Sequence, residues 1–304
     1  MNHTIRHAAV AATLALLLGA CQTMPADETA AASTRPSKQY AIEDFIESTG
    51  VGGASFSADE SRLLFHSNRT GIWNVYTMPV GGGEWTPVTT STTENVYSVA
   101  YFPADDRMLV TRDEGGNELD HLYVIGPDGV ERDLTPGENL KAGFLGFSDD
   151  GRAFHVMTNE RDPKFFDVYR YDASDYSREL VFRNDAGWEP SEVSGDGRWI
   201  ALSETHTTND GDLHVVDTTT GKATKVSAHT GDAQFFAEDF SPDGRWLYYT
   251  ANDRGEFAEL RRVDLGTWTH SPVRSAAWDI VDASLTHGGK YLAVATNVDG
   301  STQV

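Results

Sequence analysis

Charged side chains in four polar segments are the residues of this sequence that could recognise a ligand. Each segment separates two strand-like runs, so we expect the four to lie on the same face of the fold. Glu118 and Arg161 are the candidate peptide-binding residues, because the geometry of a tight turn requires neither of them. The alternative is that Asn, Asp and Gly build turns there and that each Arg pairs with an Asp. The four segments are residues 68–71, 113–118, 159–162 and 252–255.

Motifs for covalent or metal-assisted catalysis are absent from the 304 residues. There is no Gly-x-Ser-x-Gly turn, no His-Glu-x-x-His pair, no phosphate-binding glycine loop and no paired cysteines. Three histidines lie in strand-like runs, where a packed side chain is more common than a ligand: His66, His155 and His214. Four more lie in predicted loops without a second ligand at a metal-binding spacing: His206, His229, His270 and His287. The sequence therefore predicts no catalytic residue, no metal site and no cofactor.

A turn motif recurs along the chain and is clearest as Ser-Pro-Asp-Gly at residues 241–244. Pro presets φ for the turn, Asp bonds its own backbone, and Gly takes a positive φ at no steric cost. A basic residue follows each turn at intervals of 45, 45, 46, 47 and 45 residues: Arg62, Arg107, Arg152, Arg198, Arg245 and Lys290. This period, with four short strands in each repeat, predicts an all-β fold, a β-propeller of four-stranded blades. About six blades begin within the sequence, the last of them incomplete.

The N-terminal segment is predicted to be a targeting signal rather than part of the fold. An apolar run at residues 8–18 ends in Leu-Gly-Ala-Cys, which resembles the lipobox of bacterial lipoproteins. The resemblance implies a signal peptide at residues 1–20, lipidation of Cys21 and, because Gln22 follows, the outer membrane. The alternative is that Cys21, the single cysteine, is a buried thiol. Residues 21–39 are predicted to be a flexible tether and residues 40–304 the propeller, beginning with a short amphipathic helix.

Net charge excludes one large class of partner. The sequence has 24 basic and 46 acidic residues, a formal charge of −22. A surface this negative repels phosphate backbones, so nucleic-acid binding is not expected. Much of the acid lies in the turns, where Asp serves backbone hydrogen bonding.

Several segments together resemble the propeller domain of the prolyl oligopeptidase family, in its bacterial dipeptidyl aminopeptidase and acylaminoacyl-peptidase branch. They extend through residues 40–304 and include 40–45, 54–57, 67–76, 113–118 and 159–169. The repeated turns are shared with TolB-like propellers. In the peptidase family the propeller usually has seven blades and precedes an α/β-hydrolase domain with a Ser-Asp-His triad. The resemblance therefore implies that the propeller admits short or unfolded peptides to a catalytic domain, which residues 1–304 do not contain.

Two functions from different classes follow from these patterns. The first is the substrate-gating propeller of an exported serine peptidase, with peptides as substrates and no catalytic residue in this chain. The alternative is a non-catalytic, TolB-like periplasmic lipoprotein that serves as a protein-interaction scaffold. Both place the chain in the cell envelope, in the periplasm or at the outer membrane, held to the membrane by a lipid anchor.

Overall fold

The computed structural model describes residues 38–304, which divide into two compact units at Ser48. In the first unit, α1 (Glu43–Ile46) lies where the sequence predicts a short helix. The apolar side chains of Ile42, Phe45 and Ile46 are exposed. The predicted signal peptide, Cys21 and most of the tether lie outside the described residues. No helix in residues 38–304 combines the length and the apolar character that a membrane span requires.

The second unit, residues 49–304, is a β-propeller of six blades whose strands pair antiparallel in sequence order. Blade 1 consists of β1 (Val51–Phe56), β2 (Arg62–Ser67), β3 (Asn74–Pro79) and β4 (Thr86–Pro87). Blade 2 consists of β5 (Tyr97–Tyr101), β6 (Met108–Arg112), β7 (His121–Ile125) and β8 (Glu131–Asp133). Blade 3 consists of β9 (Ala142–Phe147), β10 (Ala153–Asp162), β11 (Phe165–Asp172) and β12 (Arg178–Phe182). Blade 4 consists of β13 (Glu189–Val193), β14 (Trp199–Thr207), β15 (Asp210–Asp217) and β16 (Lys222–Lys225). Blade 5 consists of β17 (Phe235–Phe240), β18 (Trp246–Ala251), β19 (Glu259–Asp264) and β20 (His270–Arg274). Blade 6 consists of β21 (Ile280–Leu285), β22 (Leu292–Val298) and β23 (Ser301–Gln303). Blades 1 to 5 have four strands and blade 6 has three, which confirms the predicted fold and the incomplete last blade.

The repeated turn joins the first two strands of a blade and is held by its own side chains. In blade 5, Ser241 Oγ donates to Asp243 Oδ1 at 2.5 Å and accepts from the Trp246 amide at 2.9 Å. The Arg245 amide donates to the same Asp243 oxygen at 3.1 Å, and Gly244 has a φ of 65°. The same Ser–Asp bonds recur in the corresponding turns of blades 1, 3 and 4. The local sequence therefore fixes this turn.

Apolar side chains pack between consecutive blades. Leu213 of blade 4 and Leu247 of blade 5 belong to one buried cluster, and Phe102 of blade 2 and Phe154 of blade 3 belong to another. Burial of this surface is the main favourable contribution to folding. Because each core is shared by two blades, an isolated repeat has no core of its own.

The prediction of a loop at residues 159–162 is wrong. Residues 159–162 are not a loop, because β10 continues to Asp162 and pairs with Phe165 of β11. The chain therefore reverses at Pro163 and Lys164, and Arg161 lies in a strand. Sequence reasoning missed this because Asn, Glu, Arg and Asp are poor strand formers on average, whereas the long ladder with β11 supplies their backbone partners.

Candidate functional site

The first strand of a blade is innermost, because the first strands contact one another at four of the five boundaries between consecutive described blades. In all six blades this strand carries an irregularity in its pairing with the second strand. A bulge of this kind bends the strand and redirects a side chain. In blades 1 and 5 the redirected side chain reaches the next blade. Ser55 Oγ accepts from the Tyr101 amide at 3.1 Å, and Asp239 Oδ2 accepts from the Leu285 amide at 2.7 Å.

Three carboxyl groups gather on the innermost strands of blades 4 and 5, and we call Glu192, Glu238 and Asp239 the inner acidic cluster. Burial, reinforced by the nearby charges of Asp239 and Glu238, raises the pKa of Glu192 to about 8. Burial also raises the pKa values of Glu238 and Asp239 above their ordinary range. Glu238 accepts from Thr250 Oγ1 at 2.6 Å and from the Ala283 amide at 3.0 Å. The cluster can therefore hold a proton at neutral pH.

A second group of acidic residues lies at the connection between β6 and β7, residues 113–120. An open pocket of about 600 Å³ is lined there by Glu94, Asp113, Glu118 and Asp120, with Lys141 and Tyr97 beside them. We call it the acidic loop pocket. Burial and the charges of Asp120 and Asp113 raise the pKa of Tyr97, so its phenol stays protonated and can donate a hydrogen bond. Four carboxylates against one ammonium group make the pocket attractive to a cationic group.

Hydrogen bonds from backbone amides to side-chain carboxylates hold the loop of this pocket in place. Glu94 Oε2 accepts from the Gly115 amide at 2.8 Å, and Asp113 Oδ2 accepts from the Glu118 amide at 2.9 Å. Glu118 itself has a φ of 61°, a left-handed conformation that side chains other than Gly, Asn and Asp rarely adopt. Gly would adopt this left-handed conformation with less strain than Glu. A strained backbone that carries an exposed carboxylate at a pocket makes Glu118 a candidate binding group.

Arg161 has a different environment. Its guanidinium donates to both carboxylate oxygens of Asp167, at 2.6 and 2.8 Å, and to the Asn184 carbonyl at 2.8 Å. Asp167 is fully buried and also accepts from the Asn184 amide. These bonds raise the pKa of Arg161, with Asp167 as the largest cause. This bidentate ion pair matches the alternative stated above, in which each Arg of the four segments pairs with an Asp. Arg161 does not line the acidic loop pocket that contains Glu118.

Sequence reasoning missed the inner acidic cluster and half of the loop pocket. Glu94 follows the last strand of blade 1, and Lys141 precedes the first strand of blade 3. Their distance in sequence from residues 113–120 therefore does not indicate that they line the same pocket. A signal did exist for Glu192 and Asp239, since each lies two residues before the serine of its repeated turn, Ser194 and Ser241. Aligning the repeats at that position would have placed both on the innermost strands.

Comparison with curated proteins gives a relative that is similar over part of this chain. No protein-family model matches the sequence. Dipeptidyl aminopeptidase BIII of Pseudoxanthomonas mexicana is 31% identical over 133 residues, which is 43% of this chain and 19% of that protein. The chain thus resembles, over part of its length, less than a fifth of this relative.

Solved structures share the propeller fold. A prolyl endopeptidase matches with a TM-score of 0.61 and 12% identity, over 83% of this chain and 40% of that one. An oligogalacturonate lyase in complex with manganese matches with a TM-score of 0.61 and 14% identity, over 84% and 77% of the two chains. TolB from Acinetobacter baumannii matches with a TM-score of 0.50 and 19% identity, over 73% and 53%. At these identities the matches show the fold alone. The resemblances to peptidase and TolB-like propellers are therefore confirmed at the level of architecture.

Proposed function

We propose that this chain is the substrate-gating propeller of an exported serine peptidase that acts on peptides. The observation that carries the proposal is the 31% identity to a dipeptidyl aminopeptidase over 133 residues. The likeness to a prolyl endopeptidase supports it, since 40% of that chain corresponds to a propeller of this size. The nucleophile, general base and oxyanion donors would come from a hydrolase domain outside the 304 residues.

The acidic loop pocket supports a role in handling peptides. A peptide with a free amino terminus carries a positive charge near neutral pH, because its α-amino pKa is about 8. Glu118 is the proposed contact for that terminus, since its carboxylate is exposed at the pocket and the loop backbone holds it there. Arg161 remains a second candidate for the peptide, although its donors already serve Asp167.

Exposed apolar side chains support a further blade in the intact protein. Val51 and Phe56 of β1 are 59% and 58% exposed, and Tyr291 of blade 6 is 62% exposed. The positions of β17 in blade 5 that are equivalent to Val51 and Phe56 are Phe235 and Phe240, which are only 4% and 6% exposed because they pack in a core shared with blade 4. We propose that a seventh blade packs between blades 6 and 1 and covers these side chains.

A TolB-like scaffold is the second candidate, and the similarity to two TolB structures favours it. In that case the face that carries the acidic loop pocket would bind another protein rather than deliver peptides. Both candidates share the proposed location in the cell envelope and the proposed lipid anchor at Cys21. That cysteine follows the apolar run at residues 8–18 directly.

The deciding experiment uses the native protein, extracted with detergent from the membrane fraction of its source. A fluorophosphonate probe labels the activated serine of a serine hydrolase. We expect the protein, captured by an antibody to the propeller, to carry the label and to have a mass well above 33.3 kDa. An unlabelled protein with the mass of the 304-residue chain plus lipid would remove the peptidase proposal and leave the scaffold. Radiolabelled palmitate tests the anchor, and Cys21→Ala should abolish its incorporation.

A further inference from the structure

The hairpin of β14 and β15 in blade 4 brings together four side chains that ligate metals. It is one of the two longest hairpins of the described blades, with strands of nine and eight residues. Glu204 pairs directly with Asp212 across the hairpin, so their side chains lie on one face. His214 follows Asp212 by two residues and therefore lies on the same face. The pairing is irregular between Thr205 and Thr207, and at this irregularity the side chain of His206 reaches Asp212.

Distances within this group are short. His214 Nε2 lies 2.9 Å from Glu204 Oε2, and His206 Nε2 lies 2.9 Å from Asp212 Oδ2. Ligand atoms of Glu204, Asp212 and His214 all lie within 4.8 Å of one another. The spacing of these residues in the sequence does not indicate a metal site, because a turn separates His206 from His214 and each histidine contacts a carboxylate on the opposite strand.

We propose that Glu204, His206, Asp212 and His214 form a binding site for a divalent transition-metal ion, with Zn²⁺ as the representative. Two imidazole nitrogens and two carboxylate oxygens match a tetrahedral zinc site. Zinc bonds of about 2.0–2.2 Å place neighbouring ligand atoms roughly 3.3 Å apart. The two 2.9 Å pairs therefore have to open by a few tenths of an ångström, whereas the ligand atoms of Glu204, Asp212 and His214, which lie within 4.8 Å of one another, have to move closer together. His206 lies outside this close group, so its imidazole has to rotate further toward the other ligands.

Surrounding side chains already orient two of the ligands. Ser227 Oγ donates to Asp212 Oδ1 at 2.7 Å, which leaves Oδ2 directed at the site. The indole of Trp188 stacks on the imidazole of His214, with ring centroids 4.0 Å apart and planes 10° apart. Both ligands are buried. Outer contacts of this kind fix the rotamers of ligands and strengthen metal binding.

Lys225 occupies part of the site in the structure. Its ammonium Nζ lies 2.7 Å from Asp212 Oδ2, the oxygen that we assign to the metal. The side chain of Lys225 is about half exposed, so it can swing into solvent at small cost. The ammonium and the metal ion are therefore alternatives for one carboxylate, and removing Lys225 should strengthen metal binding.

The chemistry of the ligands selects the class of metal. Ca²⁺ and Mg²⁺ prefer sites made of oxygen atoms, whereas imidazole suits Zn²⁺, Cu²⁺ and Ni²⁺. A bound ion would tie β14 to β15 near their tip at residues 208–209 and so stabilise the end of the hairpin. The alternative is that His206–Asp212 and His214–Glu204 are ordinary ion pairs that bind no metal.

Isothermal titration of the full chain with ZnCl₂ at pH 7.5, after removal of metals by a chelator, tests the site. We expect one Zn²⁺ per chain and slower proteolysis near residues 208–209 when zinc is present. His214→Ala should weaken binding at least tenfold, since even outer contacts are worth about tenfold to a hundredfold. Lys225→Met should tighten it. His121→Ala is the matched control, because His121 pairs with Asp133 at 2.9 Å but belongs to no group of three metal-ligating side chains among residues 38–304.

Glu204→Gln serves as a second variant, because its partly exposed side chain can be changed without disturbing the stacked Trp188. The Glu204→Gln variant should also lose most of its affinity for Zn²⁺, while its circular dichroism spectrum should match that of the wild type. Equal zinc binding by the wild type, His214→Ala and Glu204→Gln would refute the site, since the 46 acidic residues would then be binding zinc nonspecifically. Absence of stoichiometric binding by the wild type, or equal binding of Ca²⁺ and Zn²⁺, would refute it too.

Discussion

Asp239 Oδ2 accepts a 2.7 Å hydrogen bond from the backbone amide of Leu285, across the boundary between blades 5 and 6. Ser55 makes the equivalent bond to the Tyr101 amide, across the boundary between blades 1 and 2. In both cases a side chain that follows the bulge of an innermost strand reaches the innermost strand of the next blade. The bulge thus links neighbouring blades by a polar contact in addition to their shared apolar cores.

Asp239→Ala should destabilise the propeller by about 1–3 kcal/mol, because the Leu285 amide loses its acceptor at a partly buried boundary. Asp239→Asn retains an oxygen acceptor and should cost clearly less. Urea denaturation, followed by tryptophan fluorescence, measures both free energies of unfolding. Equal losses for the two variants would show that the bond to Leu285 contributes nothing of its own.

Glu192 should make the protein less stable as the pH rises. Its pKa is about 8 in the folded protein against 4.5 in the unfolded chain, so the folded state binds more protons between these values. By linkage the contribution of Glu192 to stability is complete below pH 4.5 and is lost as the pH rises through 8. Glu192→Gln should therefore have a higher urea midpoint than the wild type at pH 9 and a similar one at pH 5. Parallel pH profiles for the two proteins would contradict the raised pKa.

His155 should weaken the fold in acid. It is 2% exposed, and its Nε2 has no hydrogen-bond partner among residues 38–304. Burial, with a smaller effect of Arg170, lowers its pKa from 6.5 to about 4. The unfolded state then binds more protons between pH 4 and 6.5, and about 3 kcal/mol of stability is lost as the pH falls through that range. His155→Leu should remove this loss, and an unchanged acid transition in the variant would disprove the assignment.

Arg161→Met should lower the melting temperature, because it leaves the fully buried Asp167 without its cationic partner. Arg183→Met is the matched control, since Arg183 pairs with Asp185 where both side chains are largely exposed. We expect the control to melt within a degree or so of the wild type. Similar melting temperatures for both variants would argue that Arg161 is available for a ligand instead.

Glu118 should affect peptide binding and not folding. Glu118→Gly removes the carboxylate and relieves the left-handed backbone, so its stability should equal or exceed that of the wild type. In the native protein, Glu118→Gln should weaken binding of a peptide with a free amino terminus by about threefold, the size expected of an exposed charge pair. The N-acetylated form of the same peptide is the control and should bind both proteins alike. An equal change for the two peptides would exclude recognition of the amino group by Glu118.

The repeated turn can be predicted from the order of residues alone. Ser241 and Asp243 are two residues apart, and Gly244 takes the positive φ that closes the turn. These are local requirements, so the turn, its period of about 46 residues and the blade architecture follow from the order of residues.

Contacts between side chains that are far apart in the sequence follow from the packing of the blades. Glu192 and Asp239 belong to different blades, and the pKa of Glu192 is raised by its own burial and, to a smaller extent, by the charges of Asp239 and Glu238. The sequence predicts a loop at Arg161, whereas the ladder between β10 and β11 places this residue in a strand beside Asp167. Pairing register and burial depend on contacts between segments far apart in the chain, and the order of residues in any one segment does not specify them.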